Sequence, residues 1–309
     1  IPLPINRKTI NTERVNMQLL AENEYGQVKQ VKLSSGLSEL VIEHLTANAR
    51  VSLYGGQVLS WQPSNQQEVF WLSKEALFEQ GKAIRGGIPL CWPWFGAHPD
   101  DSENKVDKHG FARTQQWQLI NVNISEKGVE IRLAWQGENM HALWPYACQL
   151  EQVLFFSKVF KQSLQMKNLS ESDAYYTGAL HSYFAVSSPK NIKIAALEKA
   201  SFFDKLTDQQ CLAQPLANGV GPIDRIYHTH DAMSIVDSQW QRCIELKSSH
   251  CQQWVFWNPG AESARNMSDV HCGGEQEFVC LEAANSQLQL LAAGKEVVIE
   301  QEISISSYQ

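Results

Sequence analysis

His181 and Glu282 are side chains whose types can take up and release protons. A histidine changes charge near neutral pH, and a carboxylate among apolar neighbours gains basicity as burial raises its pKa. Read as strands, GALHSYFAV (178–186) and EFVCLEAAN (277–285) each divide into two faces. In the first, Leu180, Phe184 and Val186 share a face with Ser182, while Ala179, His181, Tyr183 and Ala185 share the other. In the second, Val279, Leu281 and Ala283 point one way, and Phe278, Cys280 and Glu282 point the other. Each ionisable group therefore stands opposite its strand's aliphatic set, toward solvent or a cleft. Without a cleft, His181 is an ordinary exposed or structural histidine, and Glu282 is a rim carboxylate with its head in water.

Other segments carry polar groups that suit a ligand. RGGIPLCWPWFGAHP (85–99) packs three glycines, three prolines, two tryptophans and a phenylalanine into fifteen residues. Pro89, Pro93 and Pro99 break strands and helices alike, so this reads as a long ordered loop, either functional or a buried plug. KHGFAR (108–113) sets His109 and Arg113 four apart around Gly110, which permits close backbone approach; the alternative is a solvated turn. Asp224 and Arg225 could bind polar ligand groups or pair with each other. Trp257 could stack on a sugar ring or simply fill core. His228 and His230 could share a strand face as metal ligands, but no cysteine or carboxylate pattern joins them, and no metal is expected.

The elements that must position these groups read as strands. Val129, Ile131, Leu133 and Trp135 alternate with polar residues, and Phe160, Leu164 and Met166 do the same. Val51 to Leu53 and Val58 to Trp61 flank a Gly55-Gly56 bend. Leu288 to Leu290 and Val297 to Ile305 flank Gly294-Lys295, a hairpin signal. One short helix is expected in KEALFEQ (74–80), ending at Gly81. The pattern predicts an all-β fold, a large antiparallel β-sandwich with few short helices, as one domain over residues 1–309. Residues 1–24 are polar and read as an arm laid over it.

Composition bounds the partners. The chain has 309 residues, 43% hydrophobic, with a net charge of −7. No Lys/Arg-rich run marks a nucleic-acid or acidic-membrane surface, so an anionic ligand would need local positive charge. Seven cysteines, an odd number without C-x-x-C, fit a reducing compartment better than a disulfide framework. The first residues lack the layout of a signal peptide, and no apolar run approaches the roughly 18 residues of a membrane span. A soluble cytoplasmic protein is expected, with a monomer as the default state.

In order along the chain, these segments resemble the glucose-6-phosphate 1-epimerase (hexose-phosphate mutarotase) family, a branch of the aldose 1-epimerases. The matching residues are RGGIPLCWPWFG (85–96), HGFAR (109–113), ALHSYF (179–184), IDRIY (223–227), WNP (257–259) and FVCLE (278–282), within a likeness spanning about 37–306. The resemblance implies a galactose-mutarotase-like supersandwich with its site on a concave face. It implies catalytic roles for His181 and Glu282, and a place for His109 in the active site. It further implies phosphate contacts from Arg85 and Arg113, and contact with substrate hydroxyls from Asp224. No cofactor is implied. Gly260 departs from the pattern, standing where a bulky aromatic is expected, and so bears on one pocket wall.

Mutarotation opens a hemiacetal ring, rotates the C1 carbonyl and closes the ring again. It needs one proton taken from the C1 hydroxyl and one delivered to the ring oxygen. Glu282 as base and His181 as acid, exchanging roles on closure, suffice. The two lie 101 residues apart, so only the fold can join them. Three rivals remain at this stage: a mutarotase of unphosphorylated aldoses, a non-catalytic carbohydrate-binding protein, and a glycosidase using Asp224 and Glu282.

Overall fold

Burial follows the period of two that the alternating side chains set. Along Cys148–Phe156 every second residue is buried and those between are half-buried. The computed structural model describes residues 13–101, 103 and 105–308. Five strands pair in chain order as one antiparallel sheet: β1 (Arg14–Asn23), β2 (Gly26–Leu33), β3 (Ser38–His44), β4 (Ala47–Ser52) and β5 (Gln57–Pro63). The strands that follow are β6 (Leu90–Cys91), β7 (Gln118–Ser125), β8 (Gly128–Gly137), β9 (Cys148–Phe156), β10 (Val159–Asn168), β11 (Ala174–Leu180), β12 (Tyr183–Ala185) and β13 (Ile192–Lys193). Then come β14 (Phe202–Asp204), β15 (Gln209–Cys211), β16 (Ile223–Tyr227), β17 (Met233–Asp237), β18 (Arg242–Ser249), β19 (Gln253–Asn258), β20 (Phe278–Leu291) and β21 (Glu296–Ser307).

These make two eight-stranded sheets. One runs β13-β17-β18-β21-β10-β9-β8-β7; the other runs β15-β14-β16-β19-β20-β11-β6, with β12 also paired to β20. One cluster of buried side chains draws on all three sheets, with Val51, Leu154 and Leu281 among its members. The expected antiparallel β-sandwich with few short helices is what the chain forms. Its one α-helix among the described residues, α1 (Gly260–Arg265), has a single turn and a half. No helix among the described residues is long and apolar enough to cross a membrane.

β20 positions the site. Its first eight residues are all buried. Val279, Leu281 and Ala283 enter the large core, while Phe278 and Cys280 pack on the opposite face with Trp71 and Tyr183. The division read from the sequence therefore holds, but both faces are covered. The same holds across 178–186, where Leu180, Phe184 and Val186 join the core and Tyr183 the other cluster. That segment is not one strand, however. Between β11 and β12, the His181 N–H donates to Pro89 O at 3.1 Å and the Ser182 N–H folds back to Leu180 O at 2.9 Å.

Three further expectations are corrected. Residues 74–80 form no helix: after a turn at Ser73 the chain extends, burying Ala76 and Phe78 with Tyr54 and Ile84. A lone two-turn helix carries the full cost of nucleation, and this tertiary burial outweighs its propensity. Gly294 closes no hairpin: the end of β20 pairs with β11 and the start of β21 with β10, in different sheets. The turn instead carries the chain from one sheet to another. Residues 14–23 are the edge strand β1 rather than an arm, and residues 1–12 lie outside the described residues.

Candidate active site

His181 stands at the break between β11 and β12, where the interrupted ladder turns its ring toward β20. Its Nε2 lies 3.3 Å from Glu282 Oε1. The ring stacks on Tyr183, with centroids 4.8 Å apart and planes 10° from parallel. Both groups are buried, Glu282 to 1% exposure and His181 to 7%. His181 Nδ1 and Glu282 Oε2 have no hydrogen-bond partner among the described residues. Burial, followed by the nearby charges of Arg113, Arg85 and Lys205, holds the His181 pKa well below its ordinary value. Burial, reinforced by Asp224, pushes Glu282 well above the usual carboxylate range. Desolvation of both groups opposes the carboxylate–imidazolium form of the pair relative to the neutral form, which holds the same single proton.

Behind the pair runs a buried chain of polar side chains. Ser182 and Gln301 bond to each other, Gln301 Nε2 donates to Gln162 Oε1 at 2.7 Å, Gln162 donates to Gln152, and Gln152 Nε2 donates to Gly56 O at 2.7 Å. It ties the residue next to His181 to the opposite sheet and the β4–β5 turn.

The aromatic loop folds over the pair. His109 has φ 70°, a left-handed conformation uncommon for a non-glycine residue. Its Nδ1 accepts the Gly96 N–H at 3.2 Å, leaving Nε2 to carry the proton of the neutral ring. The ring meets His181 edge-on at 5.7 Å. Burial, then Arg113, keeps this imidazole neutral as well. Gly110 follows with φ 66°, and a Cβ there would lie 2.1 Å from Trp92 O.

A cleft of about 660 Å³ opens above these groups, a size suited to a small ligand. All six expected site residues line it: Arg85, His109, Arg113, His181, Asp224 and Glu282. Phe95, Trp257 and Met267 supply apolar walls. Sequence reasoning singled out neither Lys108 nor Lys205, which also line it. Lys205 Nζ lies 3.2 Å from Asp224 Oδ2. Arg225 turns away to Asp204, with Nε 3.1 Å from Oδ2, so it does not pair with Asp224. Arg85 is held by Asp269 at 3.0 Å and donates to the Tyr183 hydroxyl at 2.9 Å. Arg113 donates to Lys108 O at 2.7 Å and has no carboxylate in ion-pair range among the described residues. Cations thus outnumber carboxylates in this cleft, although the whole chain is acidic.

Gly260 does not line the cleft. At φ 69° it packs on the Gly221–Pro222 peptide, where a Cβ would approach Pro222 N to 2.6 Å, so the aromatic expected there has no room. His228 and His230 are exposed, and His228 bonds to Gln210 at 3.0 Å. The Cys280 sulfur, by contrast, lies within 4.8 Å of donor atoms of His181 and Glu282, a possible set of metal donors. Burial pushes its pKa well up, which opposes the thiolate a metal would need. A second hollow, about 570 Å³, lies on the β9–β10–β21 face; its Lys161 and Glu302 pair across strands, and no buried acid–base pair faces it.

The β-sandwich thus carries a buried histidine–glutamate pair beneath a polar cleft. The aldose 1-epimerase family model matches residues 38–304, and the chain belongs to that family. A Salmonella typhimurium protein whose name proposes glucose-6-phosphate 1-epimerase activity is 33% identical over 250 residues, covering 80% of this chain and 82% of its own length. An Escherichia coli protein with the same proposed activity is 31% identical over 275 residues, covering 87% and 91%. Among solved structures, YeaD from Salmonella typhimurium, described as a proposed mutarotase, superposes with TM-score 0.85 at 28% identity, over 94% of this chain and 97% of that one.

Proposed function

We propose that this protein is a hexose-phosphate mutarotase, interconverting the α and β anomers of a hexose 6-phosphate, with glucose 6-phosphate the expected substrate. The observation that carries the reading is the placement of His181 Nε2 3.3 Å from Glu282 Oε1 beneath a cleft in which Arg113, Lys108 and Lys205 gather. The names of the relatives point the same way.

One proton suffices for the chemistry. Glu282 takes the C1 hydroxyl proton as His181 protonates the ring oxygen, and the C1–O5 bond breaks to give the open aldehyde. Rotation about C1–C2 presents the other carbonyl face. Ring closure then returns both protons, so no group is consumed. Arg113, Arg85 and Lys205 oppose an imidazolium at His181. A bound phosphate dianion offsets these charges, so the contact that selects the substrate also makes the acid form of His181 accessible. Arginine suits such an anion through charge-assisted, bidentate bonds. The scheme as written calls on no metal or cofactor.

The test is NMR magnetisation exchange on equilibrated glucose 6-phosphate. Protein-dependent exchange between the α and β H1 signals, much weaker on free glucose, is the expected result. Equal exchange on both would assign a free-aldose mutarotase. Binding without exchange on glucose, galactose or mannose 6-phosphate would assign a sugar-binding protein.

A further inference from the structure

Lys205 lies in the turn that joins β14 to β15, in a stretch, FFDKLTDQQ, that carries no motif. Its backbone is clamped, because its N–H donates to Asp224 O at 2.9 Å. Its Nζ sits 3.2 Å from Asp224 Oδ2 and 5.6 Å from the centroid of the Phe95 ring, at the cleft wall. Among the described residues it is the sole cation in ion-pair range of Asp224, since Arg225 serves Asp204. Nearly a third of the side chain is exposed, at 32%.

Availability separates the cations of this cleft. Arg85 already gives its donors to Asp269 and Tyr183. Lys205 has one carboxylate partner, three ammonium donors and a flexible stem, so its head can hold Asp224 and an anion together. In a hexose 6-phosphate the phosphate hangs from C6, beside the 4-hydroxyl. With Asp224 on the sugar hydroxyls, as the resemblance implies, a cation fixed to it lies on the side of the sugar that carries the phosphate.

We infer that Lys205 is a specificity-determining residue, its ammonium bridging Asp224 to the substrate phosphate so that the phosphate and a neighbouring hydroxyl are recognised through one cation. The inference rests on the hexose-phosphate reading of the site.

Inorganic phosphate provides a test that does not depend on turnover. Its binding is followed by 31P NMR on the wild type, Lys205→Met, Lys205→Arg, Asp224→Asn and the Asp224→Asn/Lys205→Met double variant. Lys205→Met is expected to weaken phosphate binding about 10-fold or more, on the scale of a hydrogen bond to a charged group, with Lys205→Arg recovering much of it. A smaller but still measurable loss should remain in the Asp224→Asn background, where the ammonium keeps its charge and loses its anchor, and KM for glucose 6-phosphate should rise more than kcat falls. Unchanged phosphate binding in Lys205→Met, or an effect that vanishes once Asp224 is removed, would overturn the inference and leave Lys205 as a support for Asp224. A wild type that binds phosphate but exchanges no hexose phosphate would sink the mutarotase reading, while the phosphate titrations still decide on Lys205.

Discussion

At the scale of single residues, the site turns on what Glu282 and Arg113 can do that their neighbours cannot. Glu282 is a buried carboxylate within 3.3 Å of an imidazole, and it alone in the cleft stands beside His181 as a proton acceptor. Glu282→Gln keeps the shape and removes the acid–base function. Exchange of glucose 6-phosphate anomers should fall by roughly 10²–10⁴-fold, while ligand-induced shifts of the protein spectrum persist. Wild-type exchange in that variant would take Glu282 out of the mechanism. Arg113 has its charge free for an anion. Arg113→Ala should cost phosphosugar use about 10- to 100-fold and leave any free-sugar exchange little changed; equal losses on both substrates would end its phosphate role. Strand parity set His181 and Glu282 each opposite an aliphatic face, which folding preserved, but their pairing as acid and base was implied only by the family resemblance. Lys205 and Asp269 were not legible. Each acts through a partner distant in sequence, Lys205 through Asp224 and Asp269 through Arg85, so nothing in their local sequence marks them.

At the scale of elements, the strands followed their alternation, since the period of two and the two faces of a sheet are one constraint. What failed were local signals that a neighbour overrides. The 74–80 helix lost to burial of Ala76 and Phe78, and the Gly294 hairpin lost because the strands on either side of it pair with β11 and β10 in different sheets. The aromatic loop was visible as an ordered, proline-stiffened segment, but its path came from tertiary contacts. Phe111 and Ala112 both donate to Trp92 O, and Gly110 fits between only because it has no Cβ. Gly110→Ala must shift the loop against Trp92 and place alanine in a left-handed conformation, at a cost of about 1–3 kcal/mol from the backbone alone. His109 and Arg113 flank that position, so exchange should fall along with the urea midpoint. A variant with wild-type midpoint and wild-type exchange would show that the loop tolerates the side chain and does not set the geometry of the site.

At the scale of the whole molecule, the buried site makes stability depend on pH in a direction that can be worked out. His109 and His181 are held neutral in the folded protein, whereas in the unfolded chain each takes up a proton as pH falls below about 6.5. Glu282 has the opposite sign: its proton is retained in the folded protein at pH values where the unfolded carboxyl, with its pKa near 4.5, has lost it. Between about pH 4.5 and 6.5 the unfolded chain thus gains up to about two protons at these positions against one held by the fold. Acidification through this window should lower stability by up to about 1.4 kcal/mol per pH unit from the three groups together. Glu282→Gln removes the opposing proton, so the slope should steepen toward about 2.7 kcal/mol per pH unit. Urea unfolding of both proteins at several pH values measures the two slopes, and their difference isolates Glu282, because other titrating groups contribute equally to each. Identical slopes would mean that Glu282 is ionised in the folded protein. The resting pair would then be a carboxylate beside a neutral histidine, short of the proton that ring opening must deliver to the sugar oxygen.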